Sequence, residues 1–323
     1  MNPKVSILIP VYKVSPYIER CAESLFKQTF TDIEYIFVND DTPDDSIEKL
    51  TRVLELYPER KKQVKILHHT CNRGLAYTRN TAINASTGDY LSVVDSDDFI
   101  EPEMIEILYH KAILEDADIV VSNVFMEYKD KTVIIDDYVD ADRNENFKNI
   151  IIYDKTCPSL WNKLVRRSLY ERQDCRVPEG LNYHEDRHVM TRLYFFATKI
   201  VKVDQPFYHY VQYNTNAITK TKDRMHFENV VQFWNLLDAF LQEHNVYEIY
   251  KPFMALPKTQ GKVRLMIDTH SSRLRREYAD IFRDEEKECI SHFTKGERLM
   301  LFLVRKRLFF LAQLFHIYLV ITN

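Results

Sequence analysis

Three carboxylates fall within four residues at Asp95-Ser96-Asp97-Asp98, directly after the apolar run Tyr90–Val94. Carboxylates this close repel one another. A hard divalent cation such as Mg²⁺ or Mn²⁺ relieves that repulsion through oxygen ligation. Asp97 is the best direct ligand, with Asp98 as a second ligand or an orienting group. The motif is short, and a solvated acidic turn has the same composition. In an open α/β sheet, however, ligands collect beyond the carboxyl ends of the strands, which is where this cluster lies if Tyr90–Val94 is a strand. A cation held there would in turn hold an anion.

A second constellation lies farther along. His184-Glu185-Asp186-Arg187-His188 matches His-Glu-x-x-His, the helical signature in which two histidines bind zinc and the glutamate acts as a base. With 11 histidines in the chain a chance match is unsurprising. A zinc protease also needs a third ligand and a different arrangement of elements. His209, inside the apolar run Phe207–Val211, is a candidate further metal ligand or a histidine of the core.

The elements that must position these groups alternate strand and helix. Val5–Pro10, Ile33–Val38, Val64–His68, Tyr90–Val94 and Ile119–Phe125 read as strands. Ser15-Pro16 and Thr42-Pro43 each look like an N-cap followed by proline at the first helical position, opening helices to about Gln28 and Tyr57. Gly74–Ala85 and the segment after Pro102 are helical. Such alternation implies an α/β fold with a parallel, doubly wound sheet. The polar stretch from Asp130 to Asn149 interrupts it, and from about His226 the periodicity turns helical, which places a soft boundary near residue 220.

Composition narrows the class. A chain of 323 residues, 45% hydrophobic and 28% charged, suits one large or two ordinary globular domains. A net charge of −4 carries no nucleic-acid signature. The five cysteines are scattered without a Cys-x-x-Cys pair, so reduced thiols in a cytosolic compartment are expected rather than a zinc site or disulfide framework. The first strand starts at Val5 with no basic region or cleavage site before it, so no secretory signal is expected. Only five glycines occur, none in a phosphate-binding Gly-x-Gly-x-x-Gly or Gly-x-x-x-x-Gly-Lys pattern. Metal and carboxylates would have to hold any nucleotide.

Five short motifs then occur in a telling order: Ile9-Pro10-Val11-Tyr12, Val38-Asn39-Asp40-Asp41-Thr42, Asn72-Arg73-Gly74 with Thr78-Arg79-Asn80, Asp95-Ser96-Asp97-Asp98, and Trp161-Asn162-Lys163 with Glu185-Asp186. Together, over roughly residues 4 to 215, they resemble glycosyltransferase family 2, the inverting nucleotide-sugar transferases of GT-A fold. The chain departs from the family pattern at Asp41, where glycine is usual, at Lys13 and at Thr78. The resemblance implies a GT-A catalytic domain over 1–220, with nucleotide-sugar binding over about 1–125, an acceptor part over 126–220, and a helical region over 221–323. It implies that Pro10, Tyr12, Asp40, Arg79, Asp95 and Ser96 bind the donor, with Asp95 toward the ribose and Asp40 accepting a hydrogen bond from the base. A carboxylate there suits the N–H of uracil and rejects cytosine, whose N3 accepts, so a UDP-sugar is the expected donor. It implies Mn²⁺ or Mg²⁺ on Asp97 and Asp98, Asp186 as the base that deprotonates the acceptor, and Glu185 as its orienting neighbour or first substitute. Trp161, stacked on a sugar face or else packed as a core indole, and Lys163, on an acceptor or donor group, are expected near the acceptor, a glycan or polyprenyl-linked oligosaccharide for the cell surface. A non-catalytic nucleotide-sugar binding or assembly subunit is the remaining alternative, and the intact carboxylate set argues against it.

The C-terminus adds a location. Leu299–Val304, the triplet Arg305-Lys306-Arg307, and the 14-residue run Leu308–Ile321 are too short to span a bilayer but suit a helix on an anionic membrane surface. Leu308, Phe309, Leu311, Phe315 and Leu319 would supply its apolar area. The reading over 297–321 is a cytoplasmic protein, peripheral at the inner face of the cytoplasmic membrane, with an internal packing helix or a homodimer helix as the alternative.

Overall fold

The computed structural model describes residues 2–152, 156–172, 175–214 and 223–322. The chain folds as two compact units: Met1–Ile150, Lys155–Gly180 and Glu185–Asn214 form the first, and Ile151–Asp154, Leu181–His184 and Thr215–Asn323 the second.

The first unit is built on β1 (Val5–Val11), β2 (Ile33–Asn39), β3 (Val64–His68), β4 (Tyr90–Val93), β5 (Phe99–Ile100), β6 (Ile119–Glu127), β7 (Thr132–Ile135), β8 (Lys163–Arg166) and β9 (Ile200–Val211). Between them run α1 (Ile18–Phe26), α2 (Ser46–Glu55), α3 (Leu75–Ala85), α4 (Met104–Glu115), α5 (Arg143–Ile152), α6 (Arg167–Tyr170) and α7 (Glu185–Phe196). Among the described residues the sheet has nine strands in the order β3-β2-β1-β4-β8-β6-β9-β5, with β7 paired to β6. The β3-β2-β1-β4 half is parallel. β8 then runs antiparallel to both β4 and β6, and β9 returns parallel to β6. The sheet is thus mostly parallel, as expected, with β8, β7 and β5 antiparallel to their neighbours.

β1 is buried along its whole length, as a central parallel strand covered on both faces must be. The chain leaves β1 toward β2 and β3 on one side and comes back to β4 on the other. This is a topological switch point, so a crevice opens beyond the carboxyl ends of β1 and β4. Ile7, Ile9, Phe26, Phe37, Leu108, Trp161 and Tyr208 belong to one buried cluster that fixes the helices against this sheet.

Both expected proline caps shift. α1 begins at Ile18 and α2 at Ser46, because Ser15 and Thr42 are used in the turns before the helices. Lys13 N–H donates to Thr42 Oγ1 at 2.8 Å, Thr42 donates to Asp44 at 2.7 Å, and Ser15 Oγ pairs with Asp45. The polar stretch after Asp130 holds the hairpin strand β7 and the start of α5.

The second unit is helical: α8 (Arg224–Glu243), α9 (Tyr247–Tyr250), α10 (Ala255–Asp268), α11 (Ser272–Glu277), α12 (Arg283–Cys289), α13 (Lys295–Arg305) and α14 (Phe309–Thr322). Reciprocal hydrogen bonds start α8 at Asp223 and His226, and α13 at Thr294 and Glu297. Val263, Cys289, Phe293 and Leu301 form one of its apolar clusters. The buried Lys262 ammonium is neutralised by Glu286 at 2.8 Å.

Candidate active site

Asp40 follows β2 and is 3% exposed. Its carboxylate accepts the backbone N–H of Arg73 at 2.9 Å and of Gly74 at 2.8 Å, and its Oδ1 lies 2.7 Å from His69 Nδ1. Gly74 has φ of 87° at the start of α3, a conformation that glycine adopts without strain. His69 was not singled out from sequence. The parallel register that pairs Asn39 with His68 sets the next residues, 40 and 69, side by side, so only the strand pairing could have revealed it.

The acidic loop continues β4. Ser96 Oγ donates to the Pro10 carbonyl at 2.6 Å, tying the carboxyl ends of β4 and β1 together. Tyr12 projects outward at 39% exposure, beside the Lys13 ammonium. Tyr208 on β9 fixes the loop twice: its hydroxyl accepts Asp95 N–H at 3.1 Å and donates to Asp98 Oδ2 at 2.7 Å. Val211 N–H satisfies the other Asp98 oxygen at 2.8 Å. Asp98 is fully buried, and burial, then the charges of Asp97 and Asp95, push its carboxyl well above the usual range. Both of its oxygens are hydrogen-bonded within the protein, which fits the orienting role over that of a ligand. Asn214 Nδ2 donates to Asp97 at 2.7 Å, and Arg20 reaches the Asp97 carbonyl at 3.4 Å. Burial and the neighbouring Asp95 raise the Asp97 carboxyl above its ordinary value. A bound cation would relieve that crowding, so the residues fit a divalent ion at Asp97 beside Asp95.

Arg79, on α3, is 4% exposed and joins the two acidic motifs. Its Nη2 donates to Asp95 Oδ1 at 3.0 Å and its Nη1 lies 2.9 Å from Glu185 Oε1. Burial opposes the guanidinium charge, but Asp95 and Glu185 outweigh it and hold Arg79 above its ordinary value. The next residue, Asn80, makes two hydrogen bonds with the backbone of Val177, at 2.7 and 3.1 Å, and so anchors to α3 the loop that leads toward α7. Glu185 and Asp186 occupy the first turn of α7, where the helix dipole favours negative charge. Glu185 is buried, and burial pushes it up to about 8 against the pull of Arg79. Asp186 is more open, accepts Arg187 N–H at 2.7 Å, and is raised by burial against the same opposing pull.

Three expected site residues are engaged within the protein, although the Lys163 charge still pulls down on the Asp186 carboxyl. Trp161 is 5% exposed and stacks on Tyr208 with ring centroids 4.6 Å apart, so no indole face is open to a sugar. Lys163 is fully buried, donating to the carbonyls of Cys157 at 2.8 Å and Ser159 at 2.9 Å and to Asn162 Oδ1 at 2.6 Å, with Asp137 at 3.6 Å. The Trp-Asn-Lys motif therefore braces the sheet instead of meeting an acceptor. His209 is stacked between Phe99 and Phe125, and its two ring nitrogens lie 2.7 Å from Glu127 and 2.8 Å from Glu101, which leaves neither for a metal. The zinc-protease alternative fails as well. His184 has a left-handed φ of 68° and stands before α7, so it does not share a helical face with His188, whose imidazole burial holds down at about 2. Among the described residues no group of three or more His, Cys, Asp or Glu side chains could hold a metal.

A parallel-then-antiparallel sheet, a carboxylate loop at its switch point, and an arginine linking that loop to a second acidic pair define a GT-A nucleotide-sugar transferase. Residues 6–174 match the family described as Glycosyl transferase family 2, and this chain belongs to that family of enzymes. It is 34% identical over 257 residues to EpsH of Bacillus subtilis (strain 168), spanning 77% of this chain and 72% of the relative. Its fold is similar to the crystal structure of S. aureus TarS 1–349 in complex with UDP, with a TM-score of 0.70 at 18% identity over 99% of this chain and 92% of the other. It is also similar to the mannosyltransferase PcManGT of Pyrobaculum calidifontis in complex with GDP-Man and Mn²⁺, with a TM-score of 0.51 at 14% identity over 99% and 86%.

Proposed function

We propose that this glycosyltransferase is metal-dependent and inverting, and moves a hexose or N-acetylhexosamine from a UDP-sugar to a glycan or polyprenyl-linked oligosaccharide. Its place would be the inner face of the cytoplasmic membrane, in the synthesis of a cell-surface polysaccharide. The observation that carries the reading is Arg79, whose one buried guanidinium spans Asp95 of the donor loop and Glu185 of the acidic pair. That contact supports a reading in which donor and acceptor chemistry share one frame. The UDP bound by the similar TarS fold and the Mn²⁺ bound by PcManGT support the donor and the ion.

A carboxylate offers roughly four acceptor positions. Asp40 spends three on Arg73, Gly74 and His69, which leaves about one, on the Oδ2 side, for the imide N–H of uracil. Asp97 would hold a divalent ion together with the donor's own phosphate oxygens, the usual arrangement for Mg²⁺ and Mn²⁺. When bound, that ion supplies Lewis-acid stabilisation of the departing diphosphate. Asp186 takes the proton of the acceptor hydroxyl as that oxygen bonds to the anomeric carbon and the diphosphate leaves from the opposite face. The rise in its basicity that burial gives suits this role. Glu185, paired with Arg79, is then a positioning residue.

Asp186→Asn keeps the size of the side chain and cannot accept the proton. We expect transfer from the matching UDP-sugar with Mn²⁺ to fall about 10²–10⁴-fold while donor affinity stays within a few-fold. UDP release and isothermal titration read the two quantities. Transfer at the wild-type rate would move the base elsewhere.

A further inference from the structure

Each of the two C-terminal helices exposes a face whose chemistry is specific. On α14, Phe310 is 75% exposed and Tyr318 60%, with Leu311, Leu314 and Ile317 each close to half exposed. At 100° per residue these five side chains fall within an arc of about 120°. From Leu308 to Thr322 the sequence contains no Asp, Glu, Lys or Arg. The opposite side of the helix is packed: Phe309 and Ala312 are buried, and His316 Nδ1 pairs with the Ile267 carbonyl. Gln313 Oε1 accepts from Ser272 Oγ at 2.9 Å and from Arg275 Nη1 at 2.5 Å. The rotation of α14 is therefore fixed, and it is not the one expected from sequence, since Phe309 is turned inward and Phe315 packs toward Gly296.

α13 supplies the charge. Lys295, Arg298, Leu299, Phe302, Arg305 and Lys306 are all exposed, at intervals of three, four, seven, ten and eleven residues from Lys295. Four cations and two apolar groups thus share one helical face. Neither Arg305 nor Lys306 is in an ion pair with a carboxylate among the described residues, whereas the adjoining Arg307 is tied to Asp280 at 2.6 Å.

We infer that the exposed faces of α13 and α14 are one docking surface for a bilayer containing anionic lipid, with Phe310, Leu311, Leu314, Ile317 and Tyr318 entering the acyl boundary and Lys295, Arg298, Arg305 and Lys306 meeting the headgroups. This deepens the membrane placement proposed above and rests on it. An apolar face beside unpaired cations is the pattern of an interfacial helix. Tyrosine, apolar along the ring and polar at the tip, suits the headgroup boundary. A second copy of the chain is the poorer occupant, because a two-fold interface would set these cations against their own images.

The test is co-sedimentation of the full chain with phosphatidylcholine vesicles with and without phosphatidylglycerol, alongside its oligomeric state by light scattering. Wild-type protein should bind the anionic vesicles and remain monomeric. Arg305→Gln and Lys306→Gln should each weaken binding about fivefold at low salt and less at high salt. Phe310→Ser with Leu314→Ser should weaken it at least about tenfold at any salt. These positions are exposed, so melting temperature and hydrolysis of the donor should stay at wild-type values. Wild-type protein that ignores anionic vesicles would overturn the membrane placement itself. Binding that survives every one of these changes would overturn the face while leaving the placement standing. A dimer that Phe310→Ser and Leu314→Ser dissociate, without vesicle binding, would assign the face to a second copy.

Discussion

Replacing Lys163 by Met separates a brace from an acceptor contact. The apolar stem is kept and the ammonium is removed. Two carbonyls and Asn162 Oδ1, 2.6 to 2.9 Å from Nζ, lose their donor, and Asp137 loses its countercharge at 3.6 Å. The two side chains are 0% and 1% exposed, so water does not replace what is lost. Breaking a buried pair from one side costs about 3–5 kcal/mol. At about 2–4 °C per kcal/mol for a body of this size, the first unit should melt about 6–20 °C lower, read by calorimetry on the full chain. The double change Lys163→Met with Asp137→Asn should lose less than the sum of the single changes, because no unpaired charge remains. Transfer measured well below the transition should show an unaltered acceptor KM. A variant that melts like wild type and binds acceptor poorly would refute this reasoning and return Lys163 to the acceptor site.

Excess EDTA should abolish transfer, and Asp97→Asn should lose Mn²⁺ binding by titration calorimetry, whereas turnover in EDTA would exclude a required ion. Asp98→Asn should keep the ion, because its amide oxygen can still accept Val211 N–H, and should lose about 1–3 kcal/mol of stability at the Tyr208 side. Burial lifts Glu185 from 4.5 to about 8, so the folded chain holds an extra proton between those values. The stability this confers is present below pH 4.5 and is lost as pH rises toward 8. Glu185→Gln should therefore flatten the fall of melting temperature across that window, and an unchanged slope would mean that Arg79 keeps the carboxylate ionised throughout.

Strands β1, β2 and β4 were legible because burial on both faces leaves largely apolar runs, and Asp95–Asp98 and Glu185-Asp186 because clustered carboxylates are conspicuous by type. Their partners were not. Tyr208, Val211 and Asn214 lie more than a hundred residues from the loop they fix, and nothing local marks them. Ser15 and Thr42 had the right neighbours for helix caps, but a hydroxyl serves a turn as readily as a helix start. His209 had the right chemistry for a ligand, yet Glu101 and Glu127 reach it from two other places in the chain. The rotation of α14 could not be read from a run with too few polar residues to mark a face.

Tyr208 clamps the acidic loop from a strand 110 residues later in the chain. The stretch from β6 through α7 lies between the loop and its clamp in sequence, while its strands β6 and β8 sit between β4 and β9 in the same sheet. The loops between those strands are where length and composition should vary with least effect on Asp95 and Asp97. A change at Tyr208 itself should disturb donor handling whatever the acceptor.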